Sequence, residues 1–238
     1  MADRARRATS EAIGTAFLLA TVVGSGIMGE RLAGGNIAIA LLANTLATGA
    51  GLVALILTFG PISGAHFNPV VTIADAWEGS RPWSDVPIYI AAQLIGALAG
   101  VAVAHGMFGE PVFTLSQHVR SGPAQLLSEL VATFGLLSVI WGVSRRSAQF
   151  TPFAVGAYIT AAYWFTSSTS FANPAVTLAR SLTNTFSGIR PADTGGFIAA
   201  QVAGALAATA LFRFLAPIRG TKPELPMVDA LTSERKST

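Results

Sequence analysis

The chain has 238 residues, 52% of them hydrophobic and only 11% charged, with a formal net charge of +3 and no cysteine. A soluble domain carries about 25% charged residues, so this composition points to a membrane-embedded chain. With no cysteine, disulfides, thiolate metal sites and thiol nucleophiles are excluded.

The first ten residues include Arg4, Arg6 and Arg7, and an apolar stretch follows without a small-residue cleavage site, so the start reads as a first span rather than a cleaved leader. A span needs about 20 mostly apolar residues. The predicted spans are Glu11–Gly29, Ile37–Phe59, Val86–Phe108, Ala124–Val143, Phe150–Phe165 and Gly195–Ala216. Two shorter segments, Asn68–Trp77 and Asn173–Leu182, are read as half-length helices. Asn is a favoured N-cap, and Pro at the first helical position sacrifices no hydrogen bond. Asn68-Pro69-Val70 and Asn173-Pro174-Ala175 therefore both read as helix starts inside membrane-embedded sequence. A helix that begins there aims its unpaired N–H groups and positive dipole end at the membrane interior. Irregular backbone at that depth is tolerated only where protein buries it or water lines it. The residues after 217 form a polar tail rich in Pro and charge, expected to be disordered.

Three motifs repeat in the same order. Glu11-Ala12-Ile13-Gly14-Thr15 matches Glu129-Leu130-Val131-Ala132-Thr133, the Asn-Pro segments match each other, and Ala91-Ala92-Gln93 through Leu98 matches Ala199-Ala200-Gln201 through Leu206. Two halves, about 8–108 and 123–217, thus form one domain over 1–217. Each half holds three spans, an odd number, so the second must be inverted. The half helices then enter from opposite faces and meet at their Asn-Pro ends, which marks a substrate path. With both termini inside, eleven basic residues lie on the cytoplasmic side against Arg31, Arg120, Arg180 and Arg190 outside, which satisfies the positive-inside rule. A multi-pass protein of the cell's inner (plasma) membrane is expected. The basic residues sit at span ends and give no nucleic-acid surface.

Over residues 8–217 the chain resembles the aquaporin, or major intrinsic protein, family. The residues that carry this are Ser63-Gly64-Ala65-His66-Phe67-Asn68-Pro69, Asn173-Pro174-Ala175, the paired Glu-x-x-x-Thr starts and the paired Ala-Gln-x-x-Gly segments. The resemblance implies an all-α membrane protein, a bundle of six transmembrane helices with two re-entrant half helices and an inverted repeat. It also implies a pore in each subunit of a homotetramer, and passive passage of water or small uncharged solutes without cofactor or metal.

The midplane is expected to hold Asn68, Pro69, Val70, Asn173, Pro174 and Ala175, with the two Asn amides donating to permeant hydroxyls while both dipoles oppose cations. Glu11 and Glu129 are costly charges within span starts. They either accept hydrogen bonds from the re-entrant loops or reach headgroup level. Gln93 and Gln201 read as interhelical ties. His66 either lines the inner vestibule or braces its loop.

Most family members place Arg directly after the second Asn-Pro-Ala, in the narrow outer filter; here Val176 stands there. Alignment to the family puts the other filter positions at Thr48, at Ala161 or its neighbour Ala162, and at Ser170. All are small, so a wide, uncharged filter is expected. The Asp that marks glycerol channels is replaced by Thr177. Val in place of the filter Arg is similar to bacterial aquaporins associated with arsenic resistance, which implies conduction of neutral As(OH)3 and methylated arsenicals. The absence of cysteine is compatible with that, because a thiol would trap trivalent arsenic. Arg180, one turn beyond Val176, either places a displaced charge in the outer vestibule, or snorkels to lipid headgroups or pairs with loop carbonyls. The competing readings are a water-selective channel and an ion-coupled secondary transporter; the latter would need buried carboxylates along the path, of which the spans offer none apart from Glu11 and Glu129 near their starts. An enzyme is not expected, because no nucleophile–base pair is visible and the three histidines are scattered.

Overall fold

The computed structural model describes residues 2–216. The polar tail at 218–238, with Arg219, Lys222, Arg235 and Lys236, lies outside the described residues. Six long helices and two short ones follow in order: α1 (Ala2–Leu32), α2 (Ile37–Ser63), α3 (Pro69–Trp77), α4 (Val86–Phe108), α5 (Pro123–Ser147), α6 (Thr151–Phe165), α7 (Pro174–Arg180) and α8 (Pro191–Leu215). The spans were located correctly, but several run longer than expected. α1 begins nine residues before Glu11, because Arg4 reaches Asp85 at 2.8 Å and ties the extra turns to the start of α4. α2 runs through Pro61 to Ser63 and stops at Gly64, whose φ of 93° is the left-handed conformation that ends a helix.

The helices α5 and α6 belong to one continuous apolar stretch, Pro123–Phe165, that reverses at Ser147 (φ −156°, ψ 77°). Ser128 near the start of α5 bonds Ser167 just past the end of α6 at 2.8 Å, so the pair runs antiparallel. α1 packs most extensively on α4 and α5 on α8, the same pairing in each half, while α2 and α6 join the halves. The closeness of these pairs is built from small residues. A Cβ built on Gly96 of α4 would overlap the Ala12 carbonyl of α1, and one on Gly204 of α8 would overlap the Leu130 carbonyl of α5. These are equivalent positions of the repeat. Gly96→Val is therefore expected to destabilise the fold by about 1–3 kcal/mol, read as a lower unfolding midpoint in detergent. Gly106→Ala, which meets nothing within 4 Å, is the control expected to leave that midpoint unchanged.

The short helices enter from opposite faces. The C-terminal end of α3 is held by Glu78, which pairs with Arg145 at the end of α5 and lies 3.8 Å from Arg213 at the end of α8. That end shares a face with the start of α1. The C-terminal end of α7 lies on the other face, where Ser181 and Leu182 accept backbone bonds from Ser116 and Thr114. Their N-termini meet between them: Asn68 Nδ2 donates to Ala172 O at 2.8 Å, and Asn173 Nδ2 to Phe67 O at 2.7 Å.

Candidate functional site

Each half helix is started by its asparagine. Asn68 Oδ1 accepts from Val70 N at 3.1 Å, and Asn173 Oδ1 from Ala175 N at 2.9 Å and Val176 N at 3.3 Å. One N–H of each amide crosses to the opposite loop, which leaves the second for a permeant. Pro69, Val70, Pro174 and Ala175 are buried but do not line the cavity. They flank the midplane as capped first turns, and the residues three past each asparagine, Val71 and Val176, turn their side chains to the cavity instead.

The loops before the asparagines adopt a backbone that local sequence does not announce. Ala65 and Phe67 (φ 50° and 49°) and Ser170 and Ala172 (φ 51° and 48°) are left-handed, at three and one residues before each asparagine, and Thr169 (φ 62°) extends the run. Each such residue costs energy unless its surroundings over-determine it. The surroundings here are the two buried glutamates. Glu11 accepts from His66 N (3.0 Å), Phe67 N (2.7 Å), Ser63 Oγ (2.7 Å) and Gln93 Nε2 (2.8 Å). Glu129 accepts from Phe171 N and Ala172 N (both 2.9 Å) and Gln201 Nε2 (2.6 Å). Both carboxylates are fully buried, which excludes a place at the headgroups. Gln93 and Gln201 also reach Thr72 and Thr177 on the half helices, each at 2.9 Å.

A cavity of about 480 Å3 runs past both asparagines from one face toward the other. One part of the lining is the two loops, residues 64–68 and 170–173. The other is apolar, from Leu18 and Val22 of α1, Leu52 and Ile56 of α2, Leu136 and Ile140 of α5, and Val155 and Ile159 of α6. Members on one helix are spaced by four, as one face of a helix requires.

The fifth-span filter position is corrected by this spacing. α6 presents Thr151, Val155, Ile159 and Tyr163 to the cavity. Ala161 lies two residues from Ile159, about 200° around the helix, and is exposed on the outside of the bundle. Ala162 is buried but turned aside, its carbonyl accepting from Thr166. Tyr163 takes the place, with its hydroxyl 3.4 Å from Thr48 Oγ1. Thr48, Tyr163, Ser170 and Val176 thus all line the cavity, one of them much larger than expected.

His66 lines the cavity, and its Nδ1 lies 3.1 Å from Thr72 Oγ1 and its Nε2 3.5 Å from Asp75. Arg180 does not snorkel. It is 2% exposed, lines the cavity, and lays its guanidinium on the Phe171 ring at 3.4 Å from the centroid. Asp75, Arg81, Val71 and Phe171 also line the cavity and were missed from sequence; Val71 and Asp75 were legible there as the repeat equivalents of Val176 and Arg180.

Membrane-length apolar helices around a cavity that passes two abutting helix N-termini define an integral membrane channel. The chain belongs to the major intrinsic protein family, whose description matches residues 1–170. It is 54% identical over 227 residues to the aquaglyceroporin AqpS of Rhizobium meliloti (strain 1021), covering 93% of this chain and 97% of that one. It is also 35% identical over 129 residues to the glycerol uptake facilitator protein of Bacillus subtilis (strain 168), covering 48% of this chain and 46% of the relative. The fold superposes on the crystal structure of the aquaglyceroporin from Plasmodium falciparum with a TM-score of 0.69 at 21% identity, over 90% of this chain and 98% of that one. The protein is a passive channel for small neutral solutes, not an enzyme.

Proposed function

We propose that this channel passes small hydroxylated neutral solutes, namely glycerol-like polyols, arsenite as As(OH)3 and methylated arsenicals, with some water. The observation that carries this reading is Val176 in the cavity lining, among apolar helix residues on one side and the two asparagine loops on the other. A polyol or As(OH)3 presents hydroxyls to the loops while its remaining surface meets the apolar residues, so desolvation is repaid on one side only where donors and acceptors lie. The asparagine amides supply hydrogen bonds on that side. Similarity to an aquaglyceroporin and to a glycerol uptake facilitator supports the polyol class. The arsenical class rests on the likeness of Val176 to the arsenic-resistance aquaporins.

In this reading, residues 1–217 act as one domain of a homotetramer in the inner (plasma) membrane. The face with the start of α1 is cytoplasmic, because Arg4, Arg6, Arg7, Arg81, Arg145, Arg146 and Arg213 belong to it.

The test is stopped-flow light scattering on vesicles carrying the purified protein, with water, glycerol, urea and arsenite as solutes. Glycerol and arsenite permeability is expected to exceed that of protein-free vesicles by about tenfold. Rapid water flow with glycerol and arsenite at background would establish the water-selective reading instead.

A further inference from the structure

Seven residues past each paired asparagine, the inverted repeat places opposite charges: Asp75 follows Asn68 and Arg180 follows Asn173. Both side chains line the cavity, toward its two ends. The carboxylate is answered by its neighbours, with Arg81 Nε at 3.3 Å and His66 Nε2 at 3.5 Å. The guanidinium has no such answer. Among the described residues Arg180 forms no ion pair. Its Nε donates to Ser187 O, and its plane rests on Phe171, whose own N–H is held by Glu129. Its two Nη groups donate to nothing among the described residues, yet neither is enclosed by protein, so they open onto the conduit.

A second cation stands behind the same ring. Arg120 has its Cζ 5.1 Å from the Phe171 centroid and gives its N–H groups to Gly188 O and Ser168 O. The nearby carboxylate of Glu129 is occupied by peptide N–H groups and Gln201, and no carboxylate lines the conduit at this end. With two guanidinium groups against the one buried carboxylate of Glu129, this wall keeps a net positive charge.

We propose that Arg180 is the cation barrier of this conduit, one helical turn beyond Val176, repelling monovalent cations while leaving the throat open to neutral solutes. A fixed charge on a low-dielectric wall acts strongly on an ion a few ångströms away and is little screened by salt there. A neutral solute meets the same group only as a hydrogen-bond donor. Barrier and size limit, which a single filter arginine would combine, are thereby divided between Arg180 and the ring of Thr48, Tyr163, Ser170 and Val176. The inference rests on the channel reading above.

The experiment places wild type, Arg180→Met, Arg180→Gln and Arg180→Lys in vesicles. Potassium permeability is read from a voltage-sensitive dye under a potassium gradient, and glycerol flux from light scattering in the same preparation. Wild type and Arg180→Lys are expected to pass glycerol and hold the potassium gradient. The Met and Gln variants should raise potassium permeability by about tenfold or more with glycerol flux within roughly threefold of wild type. Potassium permeability unchanged in Met and Gln variants that still pass glycerol would overturn the proposal. So would potassium leak through the wild type, or loss of glycerol flux in all three variants, which would make Arg180 a structural clip for the Ser187 loop. Wild type that passes no glycerol would instead strike the solute reading on which the proposal stands.

Discussion

Glu129→Ala is expected to lose about 3–5 kcal/mol of folded stability and to cut glycerol flux at least tenfold. The carboxylate receives two peptide N–H groups and the Gln201 amide, all buried. Its removal strands three donors in a region that offers water only on the conduit side. Each stranded donor costs roughly 1–3 kcal/mol. The flux falls for a related reason: Thr169, Ser170 and Ala172 are left-handed without being glycine, and the two N–H anchors hold them so. Once released, the loop relaxes toward ordinary backbone angles, and Ser170 and Asn173 leave the cavity wall. Glu129→Gln retains one acceptor oxygen and is expected to fall between wild type and Ala. Denaturation in detergent measures the first effect and vesicle flux the second. An unchanged unfolding transition together with normal flux in Glu129→Ala would show that the carboxylate does not hold the loop.

Val176→Arg is expected to lower glycerol and arsenite permeability about tenfold or more while water flow falls less. Val176 lines the cavity together with Ser170 of the loop and Tyr163 of α6. A side chain several atoms longer takes up cavity space, and its charge stands four residues from Arg180 on the same helix face, where like charges repel. The pair would also draw hydration into that part of the conduit, which favours water over a solute that must shed its shell. Val176→Ala separates size from charge: with less bulk at that position, flux of the larger solutes is expected to hold or rise. The solute panel in vesicles checks both variants, and full glycerol and arsenite flux through Val176→Arg would remove Val176 from the filter.

What could be read without coordinates came from local chemistry and from repetition. Asn-Pro marks a helix start wherever it falls, and a half with three spans must be inverted when it recurs. A glutamate in an apolar span calls for partners, and the loop N–H groups of the re-entrant segments were the donors in need of one. The helix ends missed by several residues where a distant contact set them, as Arg4 with Asp85 does for α1.

The lining of the conduit was a different matter. In a soluble helix the polar face betrays the core face, but here the side toward lipid and the side toward the cavity are both apolar, so Ala161 and Tyr163 look alike in periodicity. Only the rotation of α6 against α2 decides that Tyr163 meets Thr48 and Ala161 faces outward. Nor does any glycine mark the left-handed loop residues, since Ala65, Phe67, Ser170 and Ala172 are held there by carboxylates from other helices. Charge placement divides the same way: residue order sets Arg180 one turn past Val176, while Phe171, brought across by the loop, turns its guanidinium inward rather than to the lipid. Helix starts, spans and inversion follow from short-range chemistry and chain order; which side chains touch a permeant depends on helix rotation and loop strain, which are set between segments far apart in the chain.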